Sequence, residues 1–183
     1  MLPHTVAKNE SDYGSLLSPV KATPKYQLFP QDYYKEGLFI DYRHFDHDNI
    51  EPRFELGFGL TYTTFKYENL VISAPNSSLS PFPEKEVVPG GHEDLWDTVA
   101  TVSAEITNTK KYEAAEISQL YVRIPADGQA ERNLRGIDKV LLSPGSTKKV
   151  TFQLRRRELS DWDIEAQQWR LMIWSELPDL GWI

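Results

Sequence analysis

There is no cysteine among the 183 residues. That excludes disulfides, thiolate metal sites and cysteine nucleophiles. It leaves the compartment open, because a large secreted enzyme needs no disulfide. Long apolar runs are also missing. No stretch approaches the roughly 20 apolar residues of a membrane span, so no membrane partner is expected. The start, Met1-Leu-Pro-His-Thr-Val-Ala-Lys8, carries no apolar signal-peptide core. A basic excess is absent as well. Lys and Arg number 20 against 27 Asp and Glu, a net charge of −7. Nucleic-acid binders carry the opposite sign. The one dense basic cluster, Arg155-Arg156-Arg157, is followed at once by Glu158 and Asp161. No nucleic-acid partner is expected.

Aromatic residues are plentiful: nine Tyr, eight Phe and five Trp. They suit a β-rich core or a carbohydrate-contacting surface, and do not choose between them. Residues 1–34 are polar and broken by Pro19, Pro24 and Pro30. Proline removes a donor and clashes with the preceding turn, so this region reads as an irregular arm or a disordered terminus. Leu38-Phe39-Ile40 forms a short apolar core. Pro52, Gly57 and Gly59 then mark turns. Thr61 to Ile72 is rich in Thr, Tyr and Phe, which predicts a strand. Ser73 to Asp97 holds four prolines and Gly90-Gly91, and reads as a long low-order loop.

From Thr98 the period-two pattern of a half-buried strand is clear: Ala100, Val102, Ala104 and Ile106 alternate with polar residues. A strand is predicted over Glu116 to Ile124. Ser143-Pro-Gly-Ser146 has turn composition. Val150, Phe152 and Leu154 alternate again. Leu159 to Asp163 reads as a turn with Ser160 as helix cap, and Gln168 to Trp174 as the last strand. Short strands with turn signals between them predict an antiparallel β-sandwich.

Several motifs go beyond periodicity. Val102-Ser-Ala-Glu-Ile-Thr-Asn-Thr109, Glu116-Ile-Ser-Gln-Leu-Tyr-Val122, Leu134-Arg-Gly-Ile-Asp-Lys-Val140, Ser143-Pro-Gly-Ser146 and Leu159-Ser-Asp-Trp-Asp163 with Trp169 follow in order. Upstream stand Glu36-Gly-Leu-Phe-Ile-Asp-Tyr-Arg-His-Phe-Asp46 and Phe54-Glu-Leu-Gly-Phe-Gly-Leu-Thr-Tyr-Thr-Thr-Phe65. Together they resemble the C-terminal part of glycoside hydrolase family 3 β-glucosidases, most of all the fungal ones. Leu2-Pro-His-Thr-Val-Ala-Lys8 is similar to a segment late in that family's α/β sandwich domain.

The resemblance implies a mostly β fold: a fibronectin type III-like, immunoglobulin-like antiparallel sandwich with an irregular N-terminal arm. Residues 1–60 would be a remnant of the α/β sandwich domain and its junction. Residues 61–175 would be the fibronectin type III-like domain, and 176–183 a divergent tail. The family's final "Y-x-V-x-V-G" strand is not recognisable, so the sandwich is expected to lack its last strand. The chain is expected to be a gene-model fragment or a truncated paralogue. The implied activity of the parent is retaining hydrolysis of terminal β-D-glucosyl residues. Its nucleophile, in an "S-D-W" motif, and its acid/base Glu belong to domains outside this chain. The chain alone is therefore expected to be structural and inactive. Its expected partners are those catalytic domains, with the glucoside reached only through them. A stand-alone module for carbohydrate or protein binding is the alternative.

No catalytic residue, cofactor or metal is assigned. Ser160-Asp161-Trp162 spells the nucleophile tripeptide, but its flanks are those of a sandwich turn, with Trp162 packed on the core. Glu36, Asp41, Asp46 and Asp48 could offer an acid/base pair. A structural ion pair within Asp41-Tyr-Arg43 is the preferred reading. His44, Asp46, His47 and Asp48 hold metal-ligand types, but on an extended segment neighbours point apart. Asn9-Glu-Ser11 and Asn76-Ser-Ser78 are N-glycosylation sequons. Asn9 and Asn76 would carry glycans in a secreted parent, whose localisation is expected to be extracellular.

Overall fold

The computed structural model describes residues 1–17, 34–74, 79–172 and 180–182. They fall into two compact units: Met1–Leu60 with Gly128–Glu131, and Thr61–Asp127 with Arg132–Ile183.

In the first unit the opening segment lies antiparallel to the junction. Val6 bridges Phe54, the Leu2 amide donates to the Phe58 carbonyl, and the Gly57 amide donates back to Leu2. Gly57 supplies the left-handed backbone this turn needs, at φ +90°. A 3₁₀ helix follows at Glu10–Leu17. Leu38 and Ile40 are about half exposed, so the expected apolar core is not there. Phe45 takes that place at 3% exposure, with Tyr13 edge-on to its ring at 5.9 Å. It sits on a short helix, α1, Tyr42–His47, in place of the expected extended segment. Six residues are too few to show a helical period in sequence.

The second unit is built from antiparallel strands. β1 spans Phe65–Ser73, starting later than its Thr-rich lead suggests. The expected low-order loop after it is partly ordered. Among its described residues, β2 (Val87–Val88) and β3 (Gly91–His92) pair, and a 3₁₀ turn covers Glu93–Trp96. β4 is Thr98–Asn108, β5 Ala114–Val122, β6 Asn133–Leu142 and β7 Thr147–Arg155. A 3₁₀ turn at Arg156–Leu159 leads into the hairpin of β8 (Ser160–Asp163) and β9 (Gln168–Leu171).

Two three-stranded sheets result, ordered β1-β4-β7 and β10-β5-β6, where β10 is Leu180–Trp182. The sequence predicts no strand in this tail. Leu180 to Trp182 nonetheless pairs with Val122 to Leu120 and covers part of the β5 edge. Open edge amides and carbonyls favour such pairing even over three residues.

Side chains of both sheets share one core. Val102, Ala104 and Ile106 of β4 and Val150, Phe152 and Leu154 of β7 meet Leu120 and Val122 of β5 and Leu142 of β6. The alternation in β4 and β7 thus points the apolar set inward. A Cβ at Gly136 would collide with the Phe152 ring, which accounts for the glycine in Leu134-Arg-Gly136.

The sheets are also joined by a polar contact. The Tyr67 hydroxyl on β1 donates to Glu116 Oε1 on β5 at 2.9 Å. Partial burial pushes the Glu116 carboxyl above the ordinary glutamate value of 4.5, while the bonds from Tyr67 and the Ile117 amide pull it down. Burial, then the Glu116 charge and the hydrogen bond to it, raise the Tyr67 hydroxyl.

A carboxyl whose pKa is raised by folding is most favourable while protonated. Its contribution is full below the unfolded pKa and is lost as pH rises through the folded one. Glu116→Gln removes this dependence and keeps an acceptor for Tyr67. In urea melts from pH 4 to 7, the variant's advantage over wild type should grow with pH. A constant difference across that range would contradict the assignment.

Candidate functional site

At the junction Asp41 ties the start of α1 to the opening segment. Asp41, at φ +54° before α1, accepts from the Thr5 amide at 2.8 Å through Oδ1, and from the Thr5 hydroxyl at 3.2 Å through Oδ2. The expected Asp41–Arg43 ion pair does not form. Arg43 instead donates to the Tyr42 hydroxyl at 3.3 Å, and its guanidinium lies 5.6 Å from that ring centre. Thr5, at 1% exposure, wins Asp41 because it is fixed by the pairing around Val6 and Phe54.

His44 and Asp48 converge, unlike neighbours on an extended segment, because one helical turn places i and i+4 on one face. His44 Nδ1 lies 3.1 Å from Asp48 Oδ2, and Nε2 lies 2.9 Å from the Asp12 carbonyl. Asp48 Oδ1 takes His47 Nδ1 at 2.6 Å. Among the described residues, no group of three or more His, Asp or Glu is placed to hold a metal ion.

Asn9 is exposed, and its amide donates to Asp12 Oδ2 at 2.8 Å. Asn76 lies outside the described residues.

The Ser160-Asp161-Trp162 tripeptide forms β8. Ser160 is buried, and its hydroxyl donates to the Arg156 carbonyl at 2.8 Å. It closes the preceding 3₁₀ turn, whereas the sequence predicts that it caps a following one. Asp161 stands opposite Arg170 in the β8–β9 register. A shallow cleft of about 300 Å³ is lined by Asp127, Asp161, Asp163 and Arg170. Asp163 Oδ1 is taken by the amides of Glu165 and Ala166 at 2.9 and 2.8 Å. Trp162 is 41% exposed and is not the core residue expected. It belongs to a two-stranded hairpin, where its ring partner is Trp169, edge-on at 5.5 Å.

Two buried polar centres go beyond the sequence expectations. Asn108 at the end of β4 has no exposed surface. Its Nδ2 donates to the carbonyls of Tyr112 at 2.7 Å and Leu142 at 2.9 Å. Its Oδ1 accepts from the Thr63 hydroxyl and, at 3.1 Å, from the Lys110 amide. The Thr107-Asn-Thr109 motif therefore marks a knot of backbone ends. Asp94 and Arg156 form the second centre, with Nε and Oδ2 3.7 Å apart. Asp94 Oδ2 accepts from the Glu84 amide, and Arg156 Nη1 donates to the Ser80 carbonyl. Both centres hold loops to the sandwich. Only the asparagine leaves a trace in sequence, as the polar close of an alternating strand.

Known proteins match this arrangement. Residues 116–172 match the family model of the fibronectin type III-like domain. "Probable beta-glucosidase M" of Aspergillus niger is 53% identical over 171 residues, which are 93% of this chain and 22% of that protein. The chain therefore spans about a fifth of the length of that relative. The solved beta-D-glucoside glucohydrolase of Trichoderma reesei superposes with a TM-score of 0.82 at 36% identity, over 100% of this chain and 26% of that one. A glycoside hydrolase family 3 beta-glucosidase from Neurospora crassa gives 0.78 at 27% identity, over 91% and 28%. The chain matches the C-terminal region, with its fibronectin type III-like domain, of the fungal-type β-glucosidases of glycoside hydrolase family 3.

Proposed function

We propose that this chain serves as the non-catalytic C-terminal part of a β-glucosidase that hydrolyses terminal β-D-glucosyl residues with retention, in the breakdown of cellobiose and cellulose. The observation that carries this reading is the 53% identity over 93% of the chain to a relative of which it is only 22%. A retaining glycosidase needs two carboxyl groups about 5 Å apart around the scissile bond. Here Asp41, Asp94 and Asp163 are engaged by backbone amides, which suits scaffold duty. The catalytic pair would come from the rest of such an enzyme, and the sandwich would brace it. The parent would be secreted and would carry a glycan at Asn9 or Asn76.

Purified residues 1–183 should not turn over an aryl β-glucoside above a mock preparation. Turnover that co-purifies with the chain would sink the proposal.

A further inference from the structure

We propose that the ridge formed by Trp96, Arg155, Arg157, Trp169 and Trp162 binds the uronate units of an acidic polysaccharide. The proposal goes beyond the β-glucosidase reading and does not depend on it. The ridge begins at the basic run. Arg156 turns inward, at 5% exposure, while its neighbours Arg155 and Arg157 stay exposed.

The Arg157 guanidinium lies 5.6 Å from the ring centre of Trp96 and 4.9 Å from that of Trp169. Arg155 lies 6.0 Å from the Trp96 ring. Trp162 continues the row beside Trp169. Trp96 and Trp162 are 42% and 41% exposed, high for large indoles. Among the described residues, neither Arg155 nor Arg157 has a carboxylate within ion-pair distance.

Two unpaired guanidiniums beside indoles run against the −7 charge of the chain. Stacking on rings holds the fork in place and leaves its in-plane N–H groups free. Such a fork matches a carboxylate. Exposed indole faces suit the apolar C–H faces of a pyranose. A neutral glucan would use the indoles and leave both charges idle. Nucleic acid would need a broader basic field than two arginines on an acidic chain. A sugar ring bearing a carboxylate uses every group in the row.

The test is affinity electrophoresis of residues 1–183 in native gels containing polygalacturonate, glucuronoxylan or neutral β-glucan. Polygalacturonate and glucuronoxylan should both retard the chain, increasingly so at low salt, and β-glucan should not. Arg157→Gln should weaken binding about tenfold, the scale of one charge-assisted contact. Arg155→Gln should weaken it less. Lys110→Gln with Lys111→Gln, outside the ridge, should leave it unchanged. Trp96→Ala should weaken binding as well, and the surface arginine substitutions keep the proposal measurable should that variant fail to fold. Three results would each overturn the proposal: no retardation by either acidic glycan, equal retardation by β-glucan, or retardation that Arg157→Gln leaves intact.

Discussion

Asp94→Ala should cost about 3–5 kcal/mol of folding stability, as expected when one member of a buried ion pair is removed. Asp94 and Arg156 are 6% and 5% exposed. Their separation of 3.7 Å gives charge compensation without a direct hydrogen bond, and Asp94 Oδ1 and Arg156 Nε have no hydrogen-bond partner. Removing the carboxylate leaves a buried guanidinium with the Ser80 carbonyl as its acceptor. It also frees the Glu84 amide. The loop around residues 80–94 and the turn after β7 should loosen together. Chemical denaturation gives the stability change, and hydrogen exchange at Glu84 gives the local one. Removing Lys85 from its exposed pair with Asp97 is the control and should change little. A similar small loss for both variants would mean that Asp94 and Arg156 are not a compensated pair.

Asn108→Asp should be nearly as damaging, on the order of 3 kcal/mol or more, since a buried charge without compensation is among the costliest substitutions. The amide uses both its donor and its acceptor sides. A carboxylate keeps the acceptor side but faces the carbonyl oxygens of Tyr112 and Leu142 with no hydrogen to give. Protonation restores one donor. The pKa of the introduced carboxyl should therefore rise on folding, and the deficit should shrink as pH falls through that raised value toward the ordinary carboxylate range. Thermal melts at pH 4 and pH 7 measure this. A deficit that stays constant with pH would show that the donor side of Asn108 is unimportant.

These two centres also show what is legible in sequence. β4 and β7 are legible because each buries one face, so Val102 to Ile106 and Val150 to Leu154 alternate as the pleat requires. β6 is harder to read. Gly136, Asp138 and Lys139 interrupt it, and it packs through its ends. The tail strand β10 is three residues long and has no period to detect. Asp94 and Arg156 are joined only by the tertiary fold, and Arg156 looks in sequence like its two exposed neighbours. The junction misleads differently. Asp41 and Arg43 are plausible partners by spacing, yet Asp41 turns to Thr5 through a left-handed backbone that the sequence does not announce. Residue type alone points Trp162 to the core, and a two-stranded hairpin offers it too little cover. The ordered motifs from Leu2 to Trp169 say more than periodicity, because their succession reflects one fold across a family.

The central claim is that this chain occupies a bracing position in a β-glucosidase. Its most direct test is a chimera of the Trichoderma reesei beta-D-glucoside glucohydrolase in which the matching quarter is replaced by residues 1–183. The chimera should fold and hydrolyse an aryl β-glucoside at a rate close to that of its unaltered parent, while the same parent without that quarter should lose activity. A truncated parent that remains as active and as heat-resistant as the intact enzyme would contradict the bracing role.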